Sequence, residues 1–295
     1  QKEAETFNVD STLYEYYQRC QEYLLEPVVL NMSDTLFRMA GERQDERMQA
    51  VAIATQLDYY YFQGTNEDSV IHYTNKVKEF AKATHQPKYY YFAWANRLIT
   101  YYLKTSRTNI ALYEVQNMLK EAQEEDDKTG LSRCYNIMSQ IYTIKRFDSM
   151  AFEWRLKEIE LTEKYKIENY NISQTYAQIA NYYINQKKQK EALAAVEKAI
   201  ATANSSTQQI SAKLEFVNYY SKFGDFQAAE KLLKECQAAF EQDKRLESIK
   251  KRLYNIECLY YQQTKQYQKA LEAAKMQEKE ERRLSESILS SSHYR

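Results

Sequence analysis

Apolar and polar positions fall along this chain in a block that repeats. Three times a tyrosine pair precedes a small alanine, which follows the second tyrosine by nine residues: Tyr182-Tyr183 and Ala192, Tyr219-Tyr220 and Ala229, Tyr260-Tyr261 and Ala270. A turn-like stretch lies between: Gln186-Lys187-Lys188-Gln189, Phe223-Gly224-Asp225-Phe226 or Thr264-Lys265-Gln266-Tyr267. The three alanines are 37 and 41 residues apart. Earlier copies are looser. Tyr101-Tyr102 precedes Ala111, Tyr142 leads through Lys145-Arg146-Phe147-Asp148 to Ala151, and Tyr59-Tyr60-Tyr61 leads through Gly64 to Val70-Ile71. Self-similarity at such a period marks stacked supersecondary units. Small residues let two helix backbones approach at a crossing, and a bulky tyrosine fills the adjoining groove. Each block therefore predicts a pair of antiparallel helices, which is apolar on one side and must stack on its neighbours.

The pattern divides the chain into about seven helix pairs, at 11–41, 46–84, 88–124, 131–165, 171–204, 208–241 and 247–283. Gly41 and Gly130 fall between pairs, and Gly64 and Gly224 within them, where a turn calls for positive φ. Pro87 opens a helix. Nothing resembles a flexible linker, so residues 1–295 read as a single helical-repeat domain. Most of the 28 tyrosines are expected to serve as packing.

The blocks resemble the tetratricopeptide repeat (TPR) family. Tyr176, Ile179-Ala180, Tyr183, Ala192, Val196 and Ala199 match its motif best. Phe216, Tyr220, Gly224, Phe226, Ala229, Leu233 and Cys236 follow, then Tyr254, Cys258, Tyr261, Tyr267, Ala270 and Ala274. The resemblance implies a right-handed α-α superhelix. This chain departs from the family in lacking the usual terminal Pro of each repeat and in intervals longer than 34 residues.

Composition agrees with an all-α fold. Only 4 Gly and 2 Pro occur in 295 residues, too few for the turns of a sheet protein, and a 44% hydrophobic content suffices for a sizeable core. Lys+Arg and Asp+Glu both count 41, so the basic excess expected of a nucleic-acid binder is missing. Lys187-Lys188-Gln189-Lys190 and Lys250-Lys251-Arg252 read as solvated helix faces and ends. No stretch approaches the ~20 apolar residues that span a bilayer. Cys20, Cys134, Cys236 and Cys258 form no C-x-x-C pair and no zinc spacing with the three histidines. Cys134, Cys236 and Cys258 fall in apolar registers and read as buried thiols. No phosphate loop, nucleophile elbow, H-E-x-x-H motif or calcium loop occurs. Glu124-Glu125-Asp126-Asp127 reads as a solvated turn. The chain is therefore expected to be no enzyme and to hold no metal or cofactor.

In TPR superhelices the first helix of each pair lines the concave groove. Non-core polar positions there carry Asn96, Asn181, Asn185, Asn218, Lys222, Asn255 and Gln262, with Asn181, Asn218 and Asn255 at intervals of 37. Asn supplies a donor and an acceptor, suited to gripping the backbone of an extended peptide or protein ligand. The alternative is that these side chains are solvated or bond between helices. The Lys/Asn clamp by which chaperone-binding members hold a terminal carboxylate is not reproduced, because Ala177 stands where the Lys beside Asn181 is needed.

The segment Asn31-Met32-Ser33-Asp34-Thr35-Leu36-Phe37-Arg38-Met39-Ala40, leading into Asp45-Glu46-Arg47-Met48-Gln49-Ala50, resembles the Tyr-rich sensor regions of Bacteroidetes membrane-anchored two-component proteins. That resemblance implies an extracytoplasmic, periplasmic region ahead of a transmembrane helix and a histidine kinase or DNA-binding domain. Membrane contact would then come only through segments outside this chain, and two copies could pair as a homodimer. The Gln1 start and the stretch Ser285–Arg295, which reads as the opening of another first helix, are expected of a fragment of such a protein. The alternative is a stand-alone, cytoplasmic TPR scaffold or adaptor.

Overall fold

The computed structural model describes Ala4 and residues 7–293, the last ten of these as backbone only. Among the described residues the chain is helical and no strand occurs. By their contacts the residues form two compact units, one running through Ile137 and the other comprising Met138–Ser287.

In chain order the helices are α1 (Ser11–Glu22), α2 (Val28–Glu42), α3 (Glu46–Gln63), α4 (Glu67–Ala83), α5 (Pro87–Tyr91), a π-helical segment (Phe92–Ile99), α6 (Thr100–Lys104) and α7 (Thr108–Glu124). There follow α8 (Lys128–Ile144), α9 (Asp148–Tyr165), α10 (Ile172–Asn185), α11 (Gln189–Thr202), α12 (Ser206–Lys222) and α13 (Phe226–Gln242). A 3-10 turn (Lys244–Ile249), α14 (Lys250–Gln263) and α15 (Tyr267–His293) complete the order. With the run from α5 to α6 taken as one first helix, the seven expected pairs are present at the expected places. The expected break near Ser285 is not. The backbone of α15 is continuous through His293, while Tyr294 and Arg295 lie outside the described residues.

The nine-residue interval from tyrosine to alanine has a backbone cause. The carbonyl of the second tyrosine accepts the N–H five residues on, closing over a left-handed residue at the fourth. The bonds are Tyr102–Arg107 (2.8 Å), Tyr142–Phe147 (2.9 Å), Tyr183–Lys188 (2.9 Å), Tyr220–Asp225 (2.9 Å) and Tyr261–Gln266 (2.8 Å). The left-handed residues beneath them are Ser106, Arg146, Lys187, Gly224 and Lys265, with φ of 61°, 63°, 59°, 88° and 61°. This six-to-one bond satisfies a carbonyl that the helix end leaves open. The residue that donates it then accepts from the alanine four further on, opening the second helix. Ala111, Ala151, Ala192, Ala229 and Ala270 donate in this way at 2.9–3.1 Å, and all five are buried.

The same closure joins one pair to the next over Gln44, His85, Asp126 and Lys166. It corrects the expectation for two glycines. Gly41 lies in the last turn of α2 and Gly130 in the first turn of α8, and among glycines only Gly64 and Gly224 have positive φ. Gly130 is instead a close approach: a Cβ there would stand 2.6 Å from the ring of the fully buried Tyr91.

In the first unit Leu13, Val29, Leu36, Ala40 and Met48 pack where α1, α2 and α3 meet. In the second, Ile179, Ile184, Ala192, Val196 and Tyr219 join α10 and α11 to α12. Leu214, Val217, Leu233, Cys236, Ile256 and Tyr260 join α12 and α13 to α14. Tyrosine serves this packing as expected: Tyr101, Tyr102, Tyr219 and Tyr260 are buried, and Tyr182 stacks on Phe152 with ring centroids 4.0 Å apart. The first helices α10, α12 and α14 pack side by side and form one layer of this unit.

Gly130→Ala is expected to lower the unfolding free energy by about 1–3 kcal/mol, the usual cost of forcing extra volume into a packed core. Gly41→Ala should be close to neutral in the same urea titration, because its Cβ would meet only the end of the Gln49 side chain.

Candidate functional site

The layer of first helices in the second unit is organised around a buried carboxylate. Glu215 of α12 is 2% exposed. Asn181 of α10 donates to its Oε1 at 3.2 Å and Asn218 donates to the same atom at 3.0 Å. Arg252 of α14 forms an ion pair with Oε2. Arg252 also donates to Asn255 Oδ1 at 2.8 Å, and Asn185 Nδ2 donates to Asn181 Oδ1 at 3.3 Å. A charge taken out of water needs such partners.

Four of the sequence-predicted residues thus fall into one network: Asn181, Asn185, Asn218 and Asn255. Asn181 reaches across to the next first helix, whereas Asn218 and Asn255 bond within their own helices. Asn218 is 7% exposed, which leaves little of it for a ligand. Lys222 and Gln262 stand exposed near the ends of α12 and α14, outside the network. Asn96 lies in the other unit. The sequence reading missed Glu215 and took Arg252 for part of a solvated charge run, although their separation of 37 equals the Asn interval and was a usable signal.

Beside the network a cleft of about 550 Å³ opens. Gln174, Ala177, Gln178, Asn181 and Asn185 line it from α10, with Gln186 just beyond, and Gln208, Ser211 and Glu215 from α12. Arg155 and Arg252 border it. Arg155 is 8% exposed, and its charged form is disfavoured by burial and favoured by Glu158 and Asp148. It is held by Gln178 Oε1 at 3.0 Å and Thr143 Oγ1 at 2.7 Å. Several amide groups remain unused: Gln174 and Gln186 make no side-chain hydrogen bond, and Gln178 keeps its NH2 group. Ala177 brings no charge to the wall. The lining combines hydroxyls and amides with the carboxylates of Asp148 and Glu215 and contains neither His nor Cys.

In the first unit Asn96 sits in the π-helical segment, a winding that the apolar spacing did not signal. Its Oδ1 accepts from Arg133 of α8 and its backbone carbonyl accepts from Arg97 Nη1 at 3.0 Å. Arg97 pairs with Asp58 of α3 at 2.5 Å. Thr100 Oγ1 donates to the Ala95 carbonyl at 2.9 Å, within the loosened turn.

Three of the four thiols are buried: Cys20, Cys134 and Cys236. Burial pushes Cys134 and Cys236 up to about 12 and Cys20 up to about 11, so they stay protonated and inert. Cys258, expected to be buried, is only half-buried, while Cys20 joins the core. Among the described residues no group of three or more His, Cys, Asp or Glu is placed to hold a metal ion, and no helix is long and apolar enough to cross a membrane.

These helix pairs define a TPR-like helical-repeat protein. No family model matches the sequence, nor does any curated protein. The solved structures that resemble it are helical too. The apo form of RapI matches with a TM-score of 0.60 and 13% identity over 93% of this chain and 99% of RapI. A Rap protein complexed with competence and sporulation factor matches with a TM-score of 0.61 and 13% identity over 93% of this chain and 76% of that one. BtubC (BKLC) from P. vanneervenii matches with a TM-score of 0.55 and 15% identity over 79% and 93%. At such identities the likeness is one of fold.

Arg252→Met is expected to cost about 1–3 kcal/mol in urea unfolding, since Glu215 stays buried with one fewer partner. The double variant Glu215→Leu/Arg252→Met should lose less than the two single losses combined. In the native protein a thiol reagent such as DTNB should modify Cys258 alone, and all four cysteines only after denaturation.

Proposed function

We propose that the chain is a non-catalytic binding module that holds an extended peptide, or a peptide-like segment of a protein, against α10 and α12. The observation that carries this reading is the cleft with its row of amides along α10. Gln174, Gln178 and Asn185 along α10, with Gln186 just beyond its end, offer donors and acceptors in a row, as a peptide backbone requires. The fixed charges beside it, Glu215 with Arg252 and Arg155 with its two acceptors, are already engaged, which favours backbone over side-chain recognition. A Rap protein complexed with competence and sporulation factor shares the fold over most of this chain, which supports a ligand-binding role.

The finer proposal is that this module is the extracytoplasmic sensor region of a membrane-anchored signalling protein of the histidine kinase type. The Tyr-rich repeats and the segment from Asn31 to Ala50 support it. The membrane anchor would lie in segments outside this chain. A ligand in the cleft, or the pairing of two copies, would change how successive first helices pack and pass that change along the array.

A random peptide library displayed on phage tests the binding role. Selection on the folded chain should enrich peptides that a denatured control does not. Gln174→Ala with Asn185→Ala should weaken an enriched peptide about tenfold, each lost hydrogen bond being worth about 0.5–1.5 kcal/mol, with an unchanged melting temperature. No enrichment, or equal affinity in the variant, would sink the proposal. Asn218→Ala is a poor probe, because it removes a donor from buried Glu215. Immunoblotting of fractionated source cells tests the finer reading: a band well above 35.2 kDa in the membrane fraction supports a sensor, and a soluble band near that mass leaves an adaptor.

A further inference from the structure

The shared turn gives five of the seven first helices a common ruler, counted back from the left-handed residue. In the second unit Glu215 stands nine residues before Gly224, and Arg252 stands thirteen before Lys265 in the next repeat. Those two positions meet as the ion pair of buried Glu215 with half-buried Arg252. In the first unit the same positions are Arg97, nine before Ser106, and Arg133, thirteen before Arg146. An arginine therefore stands where the other unit places the carboxylate.

The surroundings bear the marks of that exchange. The Arg97 and Arg133 guanidiniums lie 4.6 and 5.9 Å from the centre of one ring, Phe92, and both bond to Asn96. Arg97 also lies 4.8 Å from the Tyr61 ring, with Lys104 at 4.4 Å from the same ring. One carboxylate, Asp58, serves the group, and it pairs with Arg97. Arg133 has no ion-pair partner among the described residues, and its Nε is buried without a hydrogen bond. Burial and then the Arg97 charge both disfavour the charged form of Arg133. A guanidinium does not give up its proton in a protein, so relief must come from an added negative charge.

We propose that Arg97 and Arg133 form a binding site for an oxyanion, a carboxylate or a phosphate, which would supply Arg133 with the negative charge that Glu215 supplies to Arg252. A planar fork of N–H donors matches either anion, and 17% exposure of the Arg97 side chain opens the site to solvent. The site is in the first unit and does not depend on peptide binding at the cleft of the second.

The test uses the whole chain at constant ionic strength, with chloride replaced by inorganic phosphate or by succinate. The melting temperature should rise with one or both anions and saturate. A rise with phosphate alone identifies a phosphoryl ligand, and a rise with succinate identifies a carboxylate. Calorimetry on the effective anion should give a Kd about tenfold or more higher for Arg133→Gln, as expected from losing charge-assisted hydrogen bonds. Arg252→Gln should keep the wild-type response. No rise in the wild type, or an equal rise in Arg133→Gln, overturns the proposal. Should Arg133→Gln fail to fold, wild-type crystals soaked in the effective anion decide. Density within hydrogen-bond reach of Arg133 Nε upholds the site, and its absence there overturns it.

Discussion

The architecture depends on one hydrogen bond, repeated. Where five of the seven first helices end, a carbonyl accepts from the N–H five residues on, and the chain passes through a left-handed residue to do so. That bond fixes the direction in which the second helix leaves and the point at which its first buried alanine meets the first helix. A non-glycine residue in this conformation costs roughly 1–2 kcal/mol, yet Ser106, Arg146, Lys187 and Lys265 all adopt it. The packing that follows each turn must outweigh that cost. Ala111, Ala151 and Ala192 show how: each is wholly buried at the crossing that the turn creates.

With the pairs set by turns, the first helices come to lie side by side, and their polar residues must be satisfied there. Glu215 is the clearest case, a carboxylate inside a helical layer with donors from α10, α12 and α14. Such a network holds three helices in one register, because sliding any of them would strand a buried charge. The adjoining cleft inherits its rigidity from the same contacts, while the Gln174 and Gln186 amides stay uncommitted.

Much of the fold was legible because its signals are local. The Tyr-to-Ala interval marked each pair, since both residues answer to one turn. Gly130 misled because a glycine can serve either a positive φ or a close approach, and only the position of Tyr91 tells which. The π winding over Phe92–Ile99 left no mark in the spacing of apolar residues. The site was half legible. Asn181 and Asn185 line the cleft but are bonded in the Glu215 network, and Asn218 is taken up by that glutamate, whose burial depends on the neighbouring repeats.

The π winding has a wider bearing. A π turn takes in more residues than an α turn, so side chains beyond it point in directions that an uninterrupted helix would not give them. Phe92, Asn96 and Arg97 all lie within this stretch, and Asp58 and Arg133 reach them from neighbouring first helices. Rewinding the stretch as α-helix would swing those side chains round the axis and scatter the group. The local winding of a single helix is thus a control knob for whether two arginines face each other, and any event that tightens the stretch would disassemble the cluster without unfolding a repeat.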